Sequence, residues 1–200
     1  MSSKIYRIQS YQYFEERIKN SLFICHCAPV FSAEEAFDFF NKYSQSDATH
    51  NCWAYKLIDS YRFNDDGEPG GTAGRPMLQA IEGKNLINVA SLVIRYYGGI
   101  KLGTGGLMRA YGGVTAKCLD QATLIEVVPT KKIICKVPFS DIAIVKSKFT
   151  QGISVVEENF TNEGVVWQLE VEENLVSNLG QTVINLTKGK GVWEFPEIKQ

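Results

Sequence analysis

The chain has 200 residues, 44% of them hydrophobic and 22% charged, with a formal net charge of -1. That composition describes one or two ordinary globular domains, and its near-neutrality excludes a globally basic nucleic-acid binder, so any attraction to RNA or DNA must come from a local patch. No apolar stretch approaches the roughly 20 residues that span a bilayer, and Met1-Ser2-Ser3-Lys4 leads into polar and aromatic residues rather than a signal core; a cytoplasmic protein without a membrane partner is expected.

Two strand-like runs open the chain, Tyr6 to Ile18 and Leu22 to Pro29. Ser32 and Glu35 make a capping box for a helix whose buried stripe is Ala33, Ala36, Phe37, Phe40 and Tyr43. Asn51 to Asp59 alternates as a strand and continues towards Phe63. The segment from Asn64 to Gly74 carries every turn signal and reads as an irregular loop. A short helix is predicted near Pro76 to Glu82, a strand over Leu86 to Tyr97, and a helix from about Gly105 to Ala122, entered through a glycine loop.

A break falls near Val127-Val128-Pro129-Thr130, after which the chain contains no arginine. Domains of 1–128 and 129–200 are expected. In the second, Lys131 to Phe139 reads as a strand and Asp141 to Gln151 as a helix capped by Ser140 or Asp141. A hairpin of Ile153 to Phe160 and Gly164 to Val171 turns at Thr161-Asn162-Glu163. A helix over Glu173 to Thr187 and a short strand over Gly191 to Phe195 follow. The order β-α-β-β-α-β is that of the ferredoxin-like split βαβ arrangement.

Three patches can carry chemistry. Between Glu82 and Asp120 there is no acidic residue but five basic ones, Lys84, Arg95, Lys101, Arg109 and Lys117. Within that stretch a strand, a glycine loop and a helix follow one another, a geometry that presents backbone N–H groups to an anion. The loop is neither a Walker A loop nor a dinucleotide fingerprint, so what remains is a non-standard anion cradle, with Arg95, Lys101, Gly103, Thr104, Gly105, Gly106 and Arg109 as candidate ligand-binding residues and phosphate as the first ligand to suspect. On the following helix Arg109, Gly112, Gly113 and Ala116 share a nearly bare face, which something approaches closely: a neighbouring element, a partner or a nucleic-acid backbone.

The second patch, Asp65-Asp66-Gly67-Glu68, reads either as a solvated turn or as carboxylates for Mg²⁺ or acid-base work. The third, His50-Asn51-Cys52-Trp53-Ala54-Tyr55, puts His50 and Cys52 on one strand face and Trp53 and Tyr55 on the other, where an open sheet face would let Arg95 and Tyr97 join them as a stacking platform. His50, Asp66 and Glu68 are the catalytic candidates, without a complete nucleophile, base and orienter set. The five cysteines read as buried free thiols; a zinc cluster of Cys25-His26-Cys27 with His50 and Cys52 has the wrong spacing, so neither metal nor cofactor is expected.

Three segments in register, Ala48-Thr49-His50-Asn51-Cys52-Trp53-Ala54-Tyr55, Asp65 to Gly74 and Arg95 to Leu107, closely resemble the IMPACT/YigZ family. The departures are minor: Gly70 stands where the family often has serine, and Tyr97 where it often has phenylalanine. The resemblance implies an α+β protein with an N-terminal ribosomal-protein-S5-domain-2-like domain and a C-terminal ferredoxin-like domain similar to domain V of elongation factor G. It further implies translation regulation, because eukaryotic relatives act under amino-acid starvation by competing for an activator of an initiation-factor kinase. That role leans on an additional N-terminal domain not present in these 200 residues. The expected function is thus a non-catalytic module engaging RNA, the ribosome or a translation factor, with an enzyme acting on a phosphorylated small molecule or nucleotide as the alternative.

Overall fold

The computed structural model describes residues 4–196. They form an α+β protein of two compact units, Met1–Val127 and Val128–Gln200. No helix is long and apolar enough to cross a membrane.

The first unit is built on a five-stranded antiparallel sheet. In chain order its elements are β1 (Ile5–Ile8), β2 (Gln12–Ile18), β3 (Ser21–Pro29), α1 (Ala33–Tyr43), β4 (His50–Lys56), β5 (Tyr61–Asn64), α2 (Gly74–Glu82), β6 (Val89–Tyr96), α3 (Thr104–Asp120) and β7 (Leu124–Val127). The sheet order is β2-β3-β6-β4-β5, while β1 and β7 pair separately. The run predicted as one strand from Tyr6 to Ile18 is therefore two strands serving two sheets. The apolar alternation changes phase at Gln9-Ser10-Tyr11, from Tyr6 and Ile8 to Tyr11 and Tyr13, where the chain passes from one sheet to the other.

The sheet is covered on both faces, which is why β6 at its centre is buried along nearly its whole length. On one face α1 packs Phe39 and Phe40 over Tyr55, Leu92 and Ile94. On the other, α2 and α3 bring Met77, Ile81, Tyr111 and Val114 against Phe23, Cys25, Cys52 and Val93. The predicted cap is present: Ser32 Oγ accepts from the Glu35 amide at 3.1 Å, and the Glu35 carboxylate accepts from the Phe31 amide at 2.8 Å.

Trp53 and Tyr55 are core rather than an open stacking platform. Trp53 stacks on Phe40 at 4.9 Å between centroids, and Arg95 lies on the opposite face of the sheet. The bare face of α3 is also partly explained. A Cβ at Gly112 would stand 3.4 Å from the Pro76 carbonyl oxygen of α2, so internal packing fills that position; at Gly113 nothing lies within 4 Å.

All five cysteines are free and buried. Cys25, Cys27 and Cys118 have their Sγ atoms within 4.8 Å of one another, the one such group of metal-ligating residue types among the described residues. His26 lies among aromatic rings on the α1 side, stacked on Tyr43 at 4.9 Å, so the zinc grouping with His50 and Cys52 does not form.

The second unit runs β8 (Thr130–Pro138), a 3-10 turn (Phe139–Asp141), α4 (Ile142–Lys146), β9 (Ile153–Phe160), β10 (Gly164–Glu172), α5 (Glu173–Leu186) and β11 (Val192–Glu194). Its antiparallel sheet has the order β11-β8-β10-β9, with Trp167, Leu169, Val176 and Val183 in the core. The helix predicted over Asp141 to Gln151 is much shorter, and neither Ser140 nor Asp141 provides a side-chain cap. The chain turns at Lys148 and Phe149, whose amides bond back to Val145 and Lys146, and Phe149 packs on Trp167 at 5.0 Å. Burial of that one aromatic outweighs further helical bonds.

Candidate functional site

The antiparallel register of β4 on β6 sets His50 directly opposite Arg95, and the register of β3 on β6 sets Phe23 opposite Arg95 on the other side. All three side chains consequently emerge on the α3 face. At the end of β5 the acidic turn folds back over β4. Asp65 organises it by accepting from the amides of Gly71, Ala73 and Gly74 at 2.7, 2.9 and 2.8 Å, a carboxylate cap on the start of α2. Asp66 ties the turn down: its side chain accepts from the Asn51 amide at 2.5 Å and its carbonyl from His50 Nδ1 at 2.7 Å. Two of the three carboxylates thus serve the backbone, and the reading of the turn as an acidic metal site is not supported by their placement.

Glu68 is the third, and it turns inward. It is only 8% exposed, and Oε1 accepts from Arg95 Nη1 at 2.5 Å and from the Tyr111 hydroxyl at 2.8 Å, with His50 Nε2 at 3.8 Å. Arg95 is equally buried. Its Nη2 reaches Ser21 Oγ at 3.3 Å, its guanidinium sits 5.4 Å from the Phe23 ring centroid and 5.5 Å from that of Tyr97, and Nε has no partner among the described residues. Burial and the neighbouring Glu68 push the Tyr111 hydroxyl well above its usual value, so it stays a neutral donor. Because His50 Nδ1 donates to a carbonyl, its tautomer is set and Nε2 faces Glu68.

The glycine loop closes the site. Ser21 Oγ accepts from the Gly98 amide at 3.1 Å, and a Cβ at Gly98 would overlap the Asn20 backbone, so only glycine lets the loop leave β6 there. Gly103, at φ +73°, begins α3 without a side-chain cap, and the first turn carries no acidic residue. The first helical bond runs from the Leu107 amide to the Gly103 carbonyl, leaving the amides of Thr104, Gly105 and Gly106 without intrahelical acceptors.

These pieces line one cavity of about 500 Å³, walled by Pro69, Tyr97, Leu102 and Leu107 and reached by His50, Glu68, Arg95, Lys101, Gly103 and Thr104. The volume suits a small organic ligand, and the balance of apolar wall to a few convergent polar groups is that of such sites. Of the candidate residues, His50 and Glu68 meet here with Arg95, Lys101 and the start of α3. Asp66 holds the rim, and Arg109 lies exposed further along α3, outside the lining. Sequence reasoning missed Tyr111 and Ser21; a tyrosine inside an apolar helical stripe and a serine opening a strand carry no signal of their own.

The three motifs that converge on this cavity are matched as a unit. The model of the Impact N-terminal domain matches residues 19–119, half of the chain. The chain belongs to the IMPACT family. An IMPACT family member of Thermus thermophilus is 42% identical over 154 residues, covering 77% of this chain and 86% of the relative. The Protein IMPACT of Oryctolagus cuniculus is 38% identical over 93 residues, which cover 42% of this chain and 29% of that protein. Among solved structures, a crystal structure of a hypothetical protein superposes over all of both chains with a TM-score of 0.68 at 28% identity.

Proposed function

We propose that this IMPACT-family chain is a translation-associated regulatory module that binds RNA, of the ribosome or presented by a translation factor, by its phosphates at the glycine loop and without chemistry of its own. The observation that carries the reading is charge balance in the cavity. Its one carboxylate, Glu68, is neutralised by Arg95, while Lys101 is exposed and forms no salt bridge among the described residues beside the unfilled amides of Thr104 to Gly106. The site is therefore biased towards an anion. Arg95, expected to meet phosphate directly, acts in this reading from beneath by cancelling Glu68. Lys101 and Arg109 provide the outer contacts.

The domain assignments support the same direction. In this reading residues 1–128 are the IMPACT-type, S5-domain-2-like domain and residues 129–200 the ferredoxin-like one, the pair resembling a piece of a translational GTPase. The sheet order β11-β8-β10-β9 favours the second assignment. Kinship with eukaryotic Protein IMPACT favours a regulatory role in translation.

The test is co-sedimentation with ribosomes and with bulk RNA across a salt series. Binding is expected to weaken at least tenfold in a Lys101→Ala/Arg109→Ala variant, and the salt slope to fall by about 1 to 2, given roughly 0.7 to 0.9 per phosphate contact. Unchanged binding in the variant, or none at low salt, sinks the proposal.

A second reading, an enzyme acting on a phosphorylated small molecule or nucleotide, is favoured by one observation: the Asp66 carbonyl orients His50 so that Nε2 is presented to Glu68 at the cavity. Turnover of such a compound with Mg²⁺, lost in His50→Gln, decides for it.

A further inference from the structure

Glu68 is bonded on one side only. Arg95 and Tyr111 both bond Oε1, and Oε2 has no hydrogen-bond partner among the described residues, in a side chain more than nine-tenths buried that lines the cavity. Oε2, left without a protein donor where Glu68 lines the cavity, is open to a ligand, and one that brings an N–H or O–H to it gains a charge-assisted hydrogen bond that others lack. The same cavity is lined by Lys101 and by Thr104 at the uncapped start of α3, which favour an anionic group. Tyr97 also lines this cavity, with 46% of its surface exposed and its ring paired with the Arg95 guanidinium at 5.5 Å. An aromatic ring in that position stacks well on a flat heterocycle.

A ring or exocyclic donor, a flat ring and an anion, the groups these three features would each meet, are the parts of one nucleotide. We infer that the cavity takes a single nucleotide unit, its phosphate on Lys101 and the Thr104 to Gly106 amides, its base stacked on Tyr97 and giving a ring or exocyclic N–H to Glu68 Oε2. The inference rests on the phosphate reading of the glycine loop given above and adds the base. A phosphate group alone uses neither Tyr97 nor Glu68, and a metal-bound ligand would meet only one carboxylate. The cavity of about 500 Å³ has room for one nucleotide, so an RNA strand would enter by one unstacked residue rather than as a duplex.

The experiment is calorimetric titration of the full chain at low salt with GMP, AMP, ribose 5-phosphate and inorganic phosphate. GMP or AMP is expected to bind at least tenfold tighter than ribose 5-phosphate. Tyr97→Leu, at an exposed position, is expected to erase that advantage, and Lys101→Ala to weaken nucleotide and sugar phosphate alike. Glu68→Gln is a supporting variant, and Tyr97→Leu keeps the test intact if the loss of charge beside Arg95 impairs folding. Equal affinity for GMP and ribose 5-phosphate, or no effect of Tyr97→Leu, overturns the base site. A single-stranded oligoribonucleotide binding far more tightly than GMP, with the same Tyr97 dependence, identifies RNA as the source of the nucleotide; equal affinities identify the free nucleotide. Salt-sensitive RNA binding untouched by Tyr97→Leu refutes this inference and leaves the phosphate surface standing. Tyr97-dependent GMP binding without any RNA binding upholds the cavity and refutes the RNA reading.

Discussion

Glu68 and Arg95 form an ion pair in which Oε1 lies 2.5 Å from Nη1 and the two side chains keep only 4% and 6% of their surface. They come from a turn and from the end of the central strand, so the pair also fixes the acidic turn over the sheet. Removing one partner leaves a buried charge uncompensated, and Glu68→Ala is expected to cost about 3–5 kcal/mol of unfolding free energy. Replacing both at once, as Glu68→Leu/Arg95→Met, should restore most of that loss. Chemical denaturation of the two variants measures the difference.

Asp65 accepts three amide hydrogens at the mouth of α2. Asp65→Ala is expected to destabilise by about 2–3 kcal/mol, since charge-assisted hydrogen bonds and an N-terminal cap are lost together. Asp65→Asn, which keeps one acceptor oxygen, should lose less. Denaturant midpoints of the pair separate the contributions.

Adjacent glycines in α3 are predicted to respond with different outcomes. Gly113→Ala meets nothing within 4 Å and should stabilise by up to about 1 kcal/mol through helix propensity. At Gly112 the new methyl presses on the Pro76 carbonyl at 3.4 Å, and no gain is expected there. Thermal melts of the single variants check this directly.

His26 is hydrogen-bonded to the Tyr11 hydroxyl at 2.7 Å, and burial lowers its pKa below the ordinary value of about 6.5. The unfolded chain therefore takes up a proton at a higher pH than the folded one. The stabilisation by neutral His26 is complete above about pH 6.5 and is lost as pH falls through that value towards the lower folded pKa. Melting temperatures from pH 7.5 down to 5 should fall more steeply for the native sequence than for His26→Gln.

The buried thiols should be chemically silent. Burial pushes Cys135 up to about 12 and raises Cys52 as well, and thiolate is the reactive form. At Cys25 burial is outweighed by hydrogen bonds with Cys118 and Cys27, which hold it below the usual thiol value, but the side chain is wholly buried out of a reagent's reach. An aromatic disulfide reagent at pH 8 is expected to titrate almost no thiol in the folded protein and all five after unfolding.

Helices and strands with a clear period were readable in the residues. Ser32 with Glu35 announced α1, and the runs Ile153 to Phe160 and Gly164 to Val171 on either side of Thr161-Asn162-Glu163 announced a hairpin. Partnership was not readable. Nothing local to Arg95 says that it stands opposite His50, because that fact belongs to strand register; a basic residue in an acid-free stretch therefore looked free to meet phosphate when it is engaged by Glu68. The acidic turn misled for a related reason. Asp65, Asp66 and Glu68 are alike as letters, and only the path of the turn assigns the first two to amides and the third to the cavity. The shortened α4 reflects tertiary burial of Phe149, which a helical period cannot report.

All the residues lining the cavity fall between Thr49 and Leu107, within the first unit. The binding apparatus is in that sense a portable cassette: the first unit, which also supplies Ser21, Phe23 and Tyr111 around Arg95 and Glu68, could be joined to different neighbours and keep the cavity's walls. Selection on the cassette and selection on its carrier are then separable, since a substitution in β8 to β11 touches no residue that lines the cavity.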